Sequence, residues 1–139
     1  MDPLSIIAGV AGIATAGTQL SRTLYHIIRA ARNAPRDMDR VASEMLCLTD
    51  TLDHLRDILE AGQPYSKPSF FDAISHVMKN IQATQNEISN IVADKTMRAK
   101  LTWHNKVAGF LSDIGNHKVT LTLQISVLST AILVKSNTG

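Results

Sequence analysis

The chain has 139 residues, 45% of them hydrophobic and 19% charged, which is typical of one folded domain and excludes a disordered or fibrous chain. A formal net charge of +2 and an aromatic content of 4% argue against a nucleic-acid partner. The single cysteine, Cys47, excludes an intramolecular disulfide, cannot by itself hold a structural zinc, and favours a reducing, intracellular setting.

The first predicted helix covers residues 3–32. Asp2 is a suitable N-cap, and Pro3 fits the first turn of a helix. The apolar positions alternate spacings of four and three residues, the period of a helix with one buried side. These positions are Ile6, Val10, Ile13, Gly17, Leu20, Leu24, Ile27 and Ala31. Pro35 disfavours helix at the residue before it and so separates this helix from the next.

The N-terminal part of this helix carries no charge from Pro3 to Ser21 and is rich in small residues. No basic residue precedes it, which argues against a signal peptide, and its polar residues fit a permanent transmembrane helix poorly. Two explanations are open: close packing inside a bundle, or a helix that leaves the bundle and self-associates in a membrane through small residues spaced by four. The residues assigned to membrane insertion and self-association are Ile6, Ile7, Ala8, Gly9, Val10, Gly12, Ile13, Ala16 and Gly17.

The second and third helices are predicted over residues 36–61 and 69–92. The apolar stripe of the second helix consists of Met38, Val41, Met45, Leu48, Leu52, Leu55 and Leu59. The stripe of the third helix consists of Phe71, Ile74, Met78, Ile81, Gln85, Ile88 and Val92. Gly62 is expected to end the second helix, and Ser69 with Asp72 resembles a capping box that opens the third.

The last segment is predicted to form a short extra helix over residues 97–103, near Trp103, and a long helix over residues 104–134, which Gly109 and Gly115 kink or split. The stripe of the long helix consists of Val107, Leu111, Ile114, Lys118, Leu121, Ile125, Leu128 and Ile132. Four one-sided stripes joined by short connections predict an all-α fold, an antiparallel bundle of four main helices that forms a single domain over residues 1–139.

No combination of residues in the sequence indicates an enzyme, a cofactor or a metal site. The five histidines are scattered, and no two lie three or four residues apart; they are His26, His54, His76, His104 and His117. Cys47 adjoins the stripe and is expected to be a half-buried structural thiol. The carboxylates of the second helix point away from its stripe, towards solvent or a basic partner; they are Asp50, Asp53, Asp57 and Glu60.

Four basic residues surround the break before the last helix: Lys95, Arg98, Lys100 and Lys106. Near an anionic leaflet each such residue contributes about 1 kcal/mol of attraction, so they are candidates for binding lipid headgroups or an acidic partner. The alternative is ordinary surface charge paired with the acidic second helix.

The opening MDPLSIIAGVAGIATAG, the charged second helix and the late Trp103 together resemble the fungal N-terminal domain of STAND (NOD-like receptor) proteins, which belongs to the HeLo-like group of cell-death effectors. The resemblance covers essentially the whole chain, and its opening motif is fairly specific. It implies a bundle related to the HeLo domain of fungal heterokaryon incompatibility and to the four-helix bundle of the mixed-lineage kinase-like pseudokinase.

The same resemblance implies that a receptor or an amyloid-forming segment, in the same or another chain, drives self-oligomerisation. The bundle then moves from the cytoplasm to the plasma membrane and attacks it, with the N-terminal helix implicated. Two functions therefore compete: a membrane-permeabilising effector, and a soluble protein–protein adaptor that couples a receptor to a separate effector. They differ in whether the N-terminal helix can leave the bundle.

Overall fold

The protein is described by a computed structural model over residues 2–31, 34–62, 68–94 and 97–138, with side chains described up to residue 135. It contains four α-helices: α1 (Pro3–Ala30), α2 (Met38–Gly62), α3 (Pro68–Ala93) and α4 (Met97–Thr138). The described ranges contain no β-strand. The predicted all-α bundle of four main helices is therefore confirmed.

The first helix ends slightly earlier than predicted. The Asp2 carboxylate accepts a hydrogen bond from the backbone N–H of Leu4 at 3.4 Å, and Pro3 is the first helical residue. The helix stops at Ala30 because Ala31 has an extended backbone, although the N–H of Ala31 still donates to the carbonyl of Ile27 at 3.0 Å. Ala31 is consequently exposed and is not part of the buried stripe.

The start of α3 also differs from the prediction. The helix begins at Pro68, so Ser69 lies inside its first turn and is not the N-cap of a capping box. Proline is well suited to this first position, since it lacks the N–H that would be unpaired there and its φ angle is already helical.

The last segment is one helix of 42 residues, and the predicted division into a short helix over residues 97–103 and a long helix over residues 104–134 is wrong. The buried positions run without a phase break through Trp103, Val107 and Phe110, so core packing holds the helix together across the expected boundary. Gly109 and Gly115 are both helical, and a side chain at either position would meet no neighbour within 4 Å.

Each helix packs closely against two others. α1 contacts α2 and α3, and α4 contacts α2 and α3, which places α1 and α4 at opposite corners of the bundle. α2 and α4 run parallel, because Glu44 pairs with Lys118 and Gly62 lies beside Leu128 further along both helices. α1 runs antiparallel to α2, with Ser21 bonded to Ala42 and Gly17 next to Thr49.

The core follows the predicted stripes closely. All seven stripe positions of α2 are buried, and in α3 only the last, Val92, is partly exposed. In α4 the stripe is buried or half-buried throughout, including Lys118, whose ammonium group lies 2.7 Å from a carboxylate oxygen of Glu44. The interior is thus one largely apolar core shared by all four helices, and it packs against one side of α1.

Candidate functional site

The residues assigned to membrane insertion lie on two different sides of α1. Ile6, Ile7, Val10 and Gly17 are buried in the core, and Ile13 is half-buried. The remaining four face outwards and form a side of small residues, which we call the open side of α1: Ala8, Gly9, Gly12 and Ala16. The structure therefore separates the candidate residues into a core group and an exposed group.

The glycines of α1 have different surroundings. A Cβ atom on Gly17 would collide with the hydroxyl of Thr49 and would lie 3.1 Å from Nε2 of Gln85, whereas one on Gly9 or Gly12 would meet nothing within 4 Å. Close packing inside the bundle accounts for Gly17. It does not account for Gly9 and Gly12, which weaken a soluble helix by about 1 kcal/mol each relative to alanine.

Polar contacts fasten the middle of α1 to its neighbours. The buried amide of Gln85 donates to the carbonyl of Ile13 at 3.1 Å and lies 3.8 Å from the sulfur of Met45, so it links α3 to α1 and α2. The buried hydroxyl of Ser21 donates to the carbonyl of Ala42 at 3.2 Å. Gln85 occupies a stripe position of the third helix, but its hydrogen-bond partner lies 72 residues away in the sequence, which no local pattern could reveal.

The basic candidates are only partly available. Arg98 and Lys100 are exposed at the start of α4. Lys106 pairs with Glu87 of α3 at 2.5 Å, so its charge is met by α3 rather than by the acidic α2. Lys95 lies outside the described residues.

Arg98 and Lys100 lie at the other end of the bundle from the open side of α1. Lys100 lines a cleft with Ile27 and Trp103, beside the C-terminal end of α1. Ile27 is 15 residues beyond Gly12, a distance of about 22 Å along a helix. Among the described basic candidates, Arg98 and Lys100 are therefore not next to the open side of α1.

Sequence reasoning missed an apolar surface on α4. Large side chains on its outward side are between 54% and 64% exposed: Val119, Leu123, Val127, Leu133 and Val134. The available signal was the absence of any charged residue from Val119 to Val134. By length and composition, α1 and α4 are the two described helices that could cross a membrane.

The residues considered for catalysis or metal binding are dispersed. Among the described residues, no three of His, Cys, Asp and Glu come together as a metal site. The α2 carboxylates face solvent or are half-exposed, and Arg56 lies 3.8 Å from Asp53 and 3.9 Å from Asp57. Cys47 is exposed, so the expectation of a half-buried thiol is wrong: position 47 falls on the outward side of α2 although Leu48 points inwards.

Fold and surface together define an all-α bundle domain with two uncharged helical segments, residues 3–21 of α1 and 119–134 of α4. The chain belongs to the family described as pigment biosynthesis cluster protein PigL N-terminal, which matches residues 1–138. This is a fungal family of N-terminal domains associated with HeLo-like domains. It agrees with the resemblance in so far as that identified a fungal N-terminal domain. No curated protein and no solved structure matches the chain significantly.

Proposed function

We propose that the chain is the signalling and effector domain of a fungal immune-type cell-death pathway, which oligomerises and permeabilises the plasma membrane through α1. The observation that carries the proposal is the open side of α1, where Gly9 and Gly12 have no packing role in the folded bundle. Residues that destabilise a helix and fill no space in the resting state are explained if they pack in another state.

The chemistry of the N-terminal half of α1 suits a membrane. Its uncharged stretch, Pro3–Ser21, is about 28 Å long as a helix, close to the roughly 30 Å of a bilayer's hydrocarbon core. The hydroxyls of Thr15 and Thr18 donate to the carbonyls of Ala11 and Ala14 at 3.0 and 3.2 Å. These hydrogen bonds stay within the helix and would survive its transfer to lipid, where unpaired polar groups are costly.

Leaving the bundle is expensive, which makes a trigger necessary. α1 buries five large aliphatic side chains in the core: Ile6, Ile7, Val10, Leu20 and Leu24. At about 1.5–3 kcal/mol each, their exposure to water costs roughly 7–15 kcal/mol, which is comparable to the whole stability of a small domain. Insertion into lipid and contact between several α1 helices must offset this, so clustering by a receptor or an amyloid-forming segment is part of the proposal.

The second candidate function is a soluble adaptor without membrane activity. It is favoured by the same buried side chains and by the hydrogen bond from Gln85 to Ile13, because these contacts hold α1 in the core of the bundle. In this case the outward surfaces of the closed bundle bind proteins, and α1 never leaves its place.

The deciding experiment measures dye release from liposomes containing anionic lipid, with the chain fused to an inducible oligomerisation module. Gly12→Leu is the test variant and Gly12→Ala its matched control, since both add a side chain to an open position but only leucine blocks close helix approach. Wild type and Gly12→Ala should release dye on clustering. Gly12→Leu should be slower by about tenfold or more, the effect of losing about 1.4 kcal/mol of helix contact.

Two results would contradict the proposal. Equal release by a folded Gly12→Leu protein and wild type rejects packing through the open side. Absence of release by wild type, even when clustered, favours the adaptor.

A further inference from the structure

The outward side of the C-terminal half of α4 carries exposed aliphatic side chains over several turns. Val119, Leu123 and Val127 follow one another at spacings of four residues and are 61–63% exposed. They lie opposite Leu121, Ile125 and Leu128, which fill the core. Together with Leu133 they form an exposed aliphatic stripe, which we call the outer α4 surface. The opposite side of the same helix is packed in the core.

Three hydroxyls on this surface are already hydrogen-bonded within the helix. The hydroxyls of Thr122, Ser126 and Thr130 donate to the carbonyls four residues before them, at 2.8, 3.0 and 2.9 Å. No charged residue occurs from Val119 to Val134. A surface of aliphatic side chains and internally bonded hydroxyls can enter a low-dielectric phase without leaving these hydrogen-bond donors unpaired.

The composition of the outer α4 surface fits lipid better than a protein partner. Protein interfaces rely on Trp, Tyr and Arg as anchors, while Leu, Val, Ser and Thr are under-represented among them. The outer α4 surface has only residues of the second kind. The hydrocarbon boundary of a bilayer needs no shaped anchor and rewards continuous apolar area.

The uncharged half of α4 lies at the same end of the bundle as the uncharged half of α1. Gly17 contacts Met45 and Thr49 of α2, and Gly62 at the end of α2 contacts Leu128. Since α1 is antiparallel to α2 and α4 is parallel to it, the residues of α1 before Gly17 share this end with Leu128. A bundle lying on the outer α4 surface therefore has the start of α1 level with the docked part of α4 along the bundle axis, but on the far side of the bundle.

We propose that the outer α4 surface docks the closed bundle onto a lipid bilayer, with its side chains at the boundary between headgroups and acyl chains. The inference rests on the proposed membrane function and adds a step to it, in which the folded chain is held at the surface before α1 moves. Because the contact is apolar, docking requires neither anionic lipid nor Arg98 and Lys100 at the other end of the molecule.

The test is flotation of the unclustered chain with vesicles of phosphatidylcholine alone. Leu123→Gln/Val127→Gln shortens and polarises the surface at two exposed positions. Leu101→Gln is the matched control, because Leu101 lies on the same helix and is 63% exposed, as is Leu123. The double variant should lose vesicle binding by about tenfold or more, and the control should bind as wild type does.

Trp103 reports whether the bundle stays closed when bound. It is the single tryptophan, it belongs to α4, and its side chain is 3% exposed and lies in the core of the bundle. Docking of the closed bundle predicts that its fluorescence remains shielded from iodide on the vesicles. Exposure of Trp103 on binding would overturn docking as a step before opening.

The remaining outcomes separate this inference from the proposed function. Binding without dye release on clustering supports docking and rejects permeabilisation. Dye release by wild type with undiminished flotation of the double variant rejects the outer α4 surface, and so does failure of wild type to float. If Leu123→Gln/Val127→Gln instead converts a dimer into a monomer by light scattering, a second copy covers the surface and lipid docking is wrong.

Discussion

The glycines of α1 are chemically identical, but their neighbours give a substitution opposite effects. Gly12 is exposed in a helix interior, so Gly12→Ala should stabilise the fold by about 1 kcal/mol through helix propensity alone. At Gly17 the added methyl group meets the Thr49 hydroxyl, which is attached to a stiff β-branched side chain. Gly17→Ala should therefore destabilise by about 1–3 kcal/mol despite the same gain in propensity.

Urea unfolding of the two variants, followed by circular dichroism, measures this difference directly. Opposite shifts of the midpoint are expected with unchanged slopes. If Gly17→Ala is as stable as Gly12→Ala, the tight contact between α1 and α2 at this position is not real.

His117 gives the stability of the bundle a dependence on pH. Burial lowers the pKa of His117, while the charge of Asp113 acts in the opposite direction, and its Nε2 lies 3.3 Å from the Thr84 hydroxyl. The unfolded chain, where histidine has a pKa of about 6.5, then binds a proton more readily than the folded chain. The contribution is complete above about pH 6.5 and is lost as the pH falls through that value towards the lowered folded pKa.

The urea concentration at the unfolding midpoint of wild type should accordingly be lower at about pH 5.5 than at about pH 7.5. Carboxylates contribute little to the change in stability over this range. His117→Gln should show a smaller decrease. His54→Gln, at an exposed position of α2, should behave as wild type does; an equal decrease in all three proteins would remove His117 as the cause.

At the scale of helices, predictability followed the contrast between the two sides of each element. α2 has charged residues outside and aliphatic residues inside, so its stripe identified every buried large side chain correctly. α4 is apolar on both sides over its second half, and the regular spacing of Leu121, Ile125 and Leu128 concealed the outward stripe that includes Leu123 and Val127. A periodic pattern locates one buried side and gives no account of a second apolar side.

The false division of α4 and the ambiguity of the α1 glycines have a common origin. Glycine lowers helix propensity at any position, but the packing of neighbouring side chains decides whether the helix is interrupted and whether a larger residue would fit. The helix continues through Gly109 and Gly115 because flanking side chains such as Phe110 and Ile114 are held in the core. Likewise, only the position of Thr49 and Gln85 in three dimensions distinguishes Gly17 from Gly12.

At the scale of the whole molecule, the four helices share one core. An uncharged surface lies at one end of the bundle and a basic surface at the other. The uncharged halves of α1 and α4 occupy one end, and Arg98 and Lys100 occupy the other. Because α1 and α4 stand at opposite corners and touch through α2 and α3, any movement of α1 disturbs the packing that supports α4. The proposed membrane docking and the proposed opening are thus expected to depend on one cooperatively folded unit.

That cooperativity can be tested with a charge placed on either side of α4. Leu121 is fully buried, whereas Leu123, two residues further on, is 63% exposed. An unpaired carboxylate at position 121 costs several kcal/mol against a total of about 5–15 kcal/mol, so Leu121→Asp should unfold the domain, as should Leu48→Asp in α2. Leu123→Asp should change stability by no more than about 0.5 kcal/mol.

Thermal melts by circular dichroism compare the three variants, and a Leu121→Asp protein that melts together with Leu123→Asp would mean that α4 is not packed in this register. Loss of helix throughout the chain with Leu121→Asp, rather than in α4 alone, is the result that a single shared core requires.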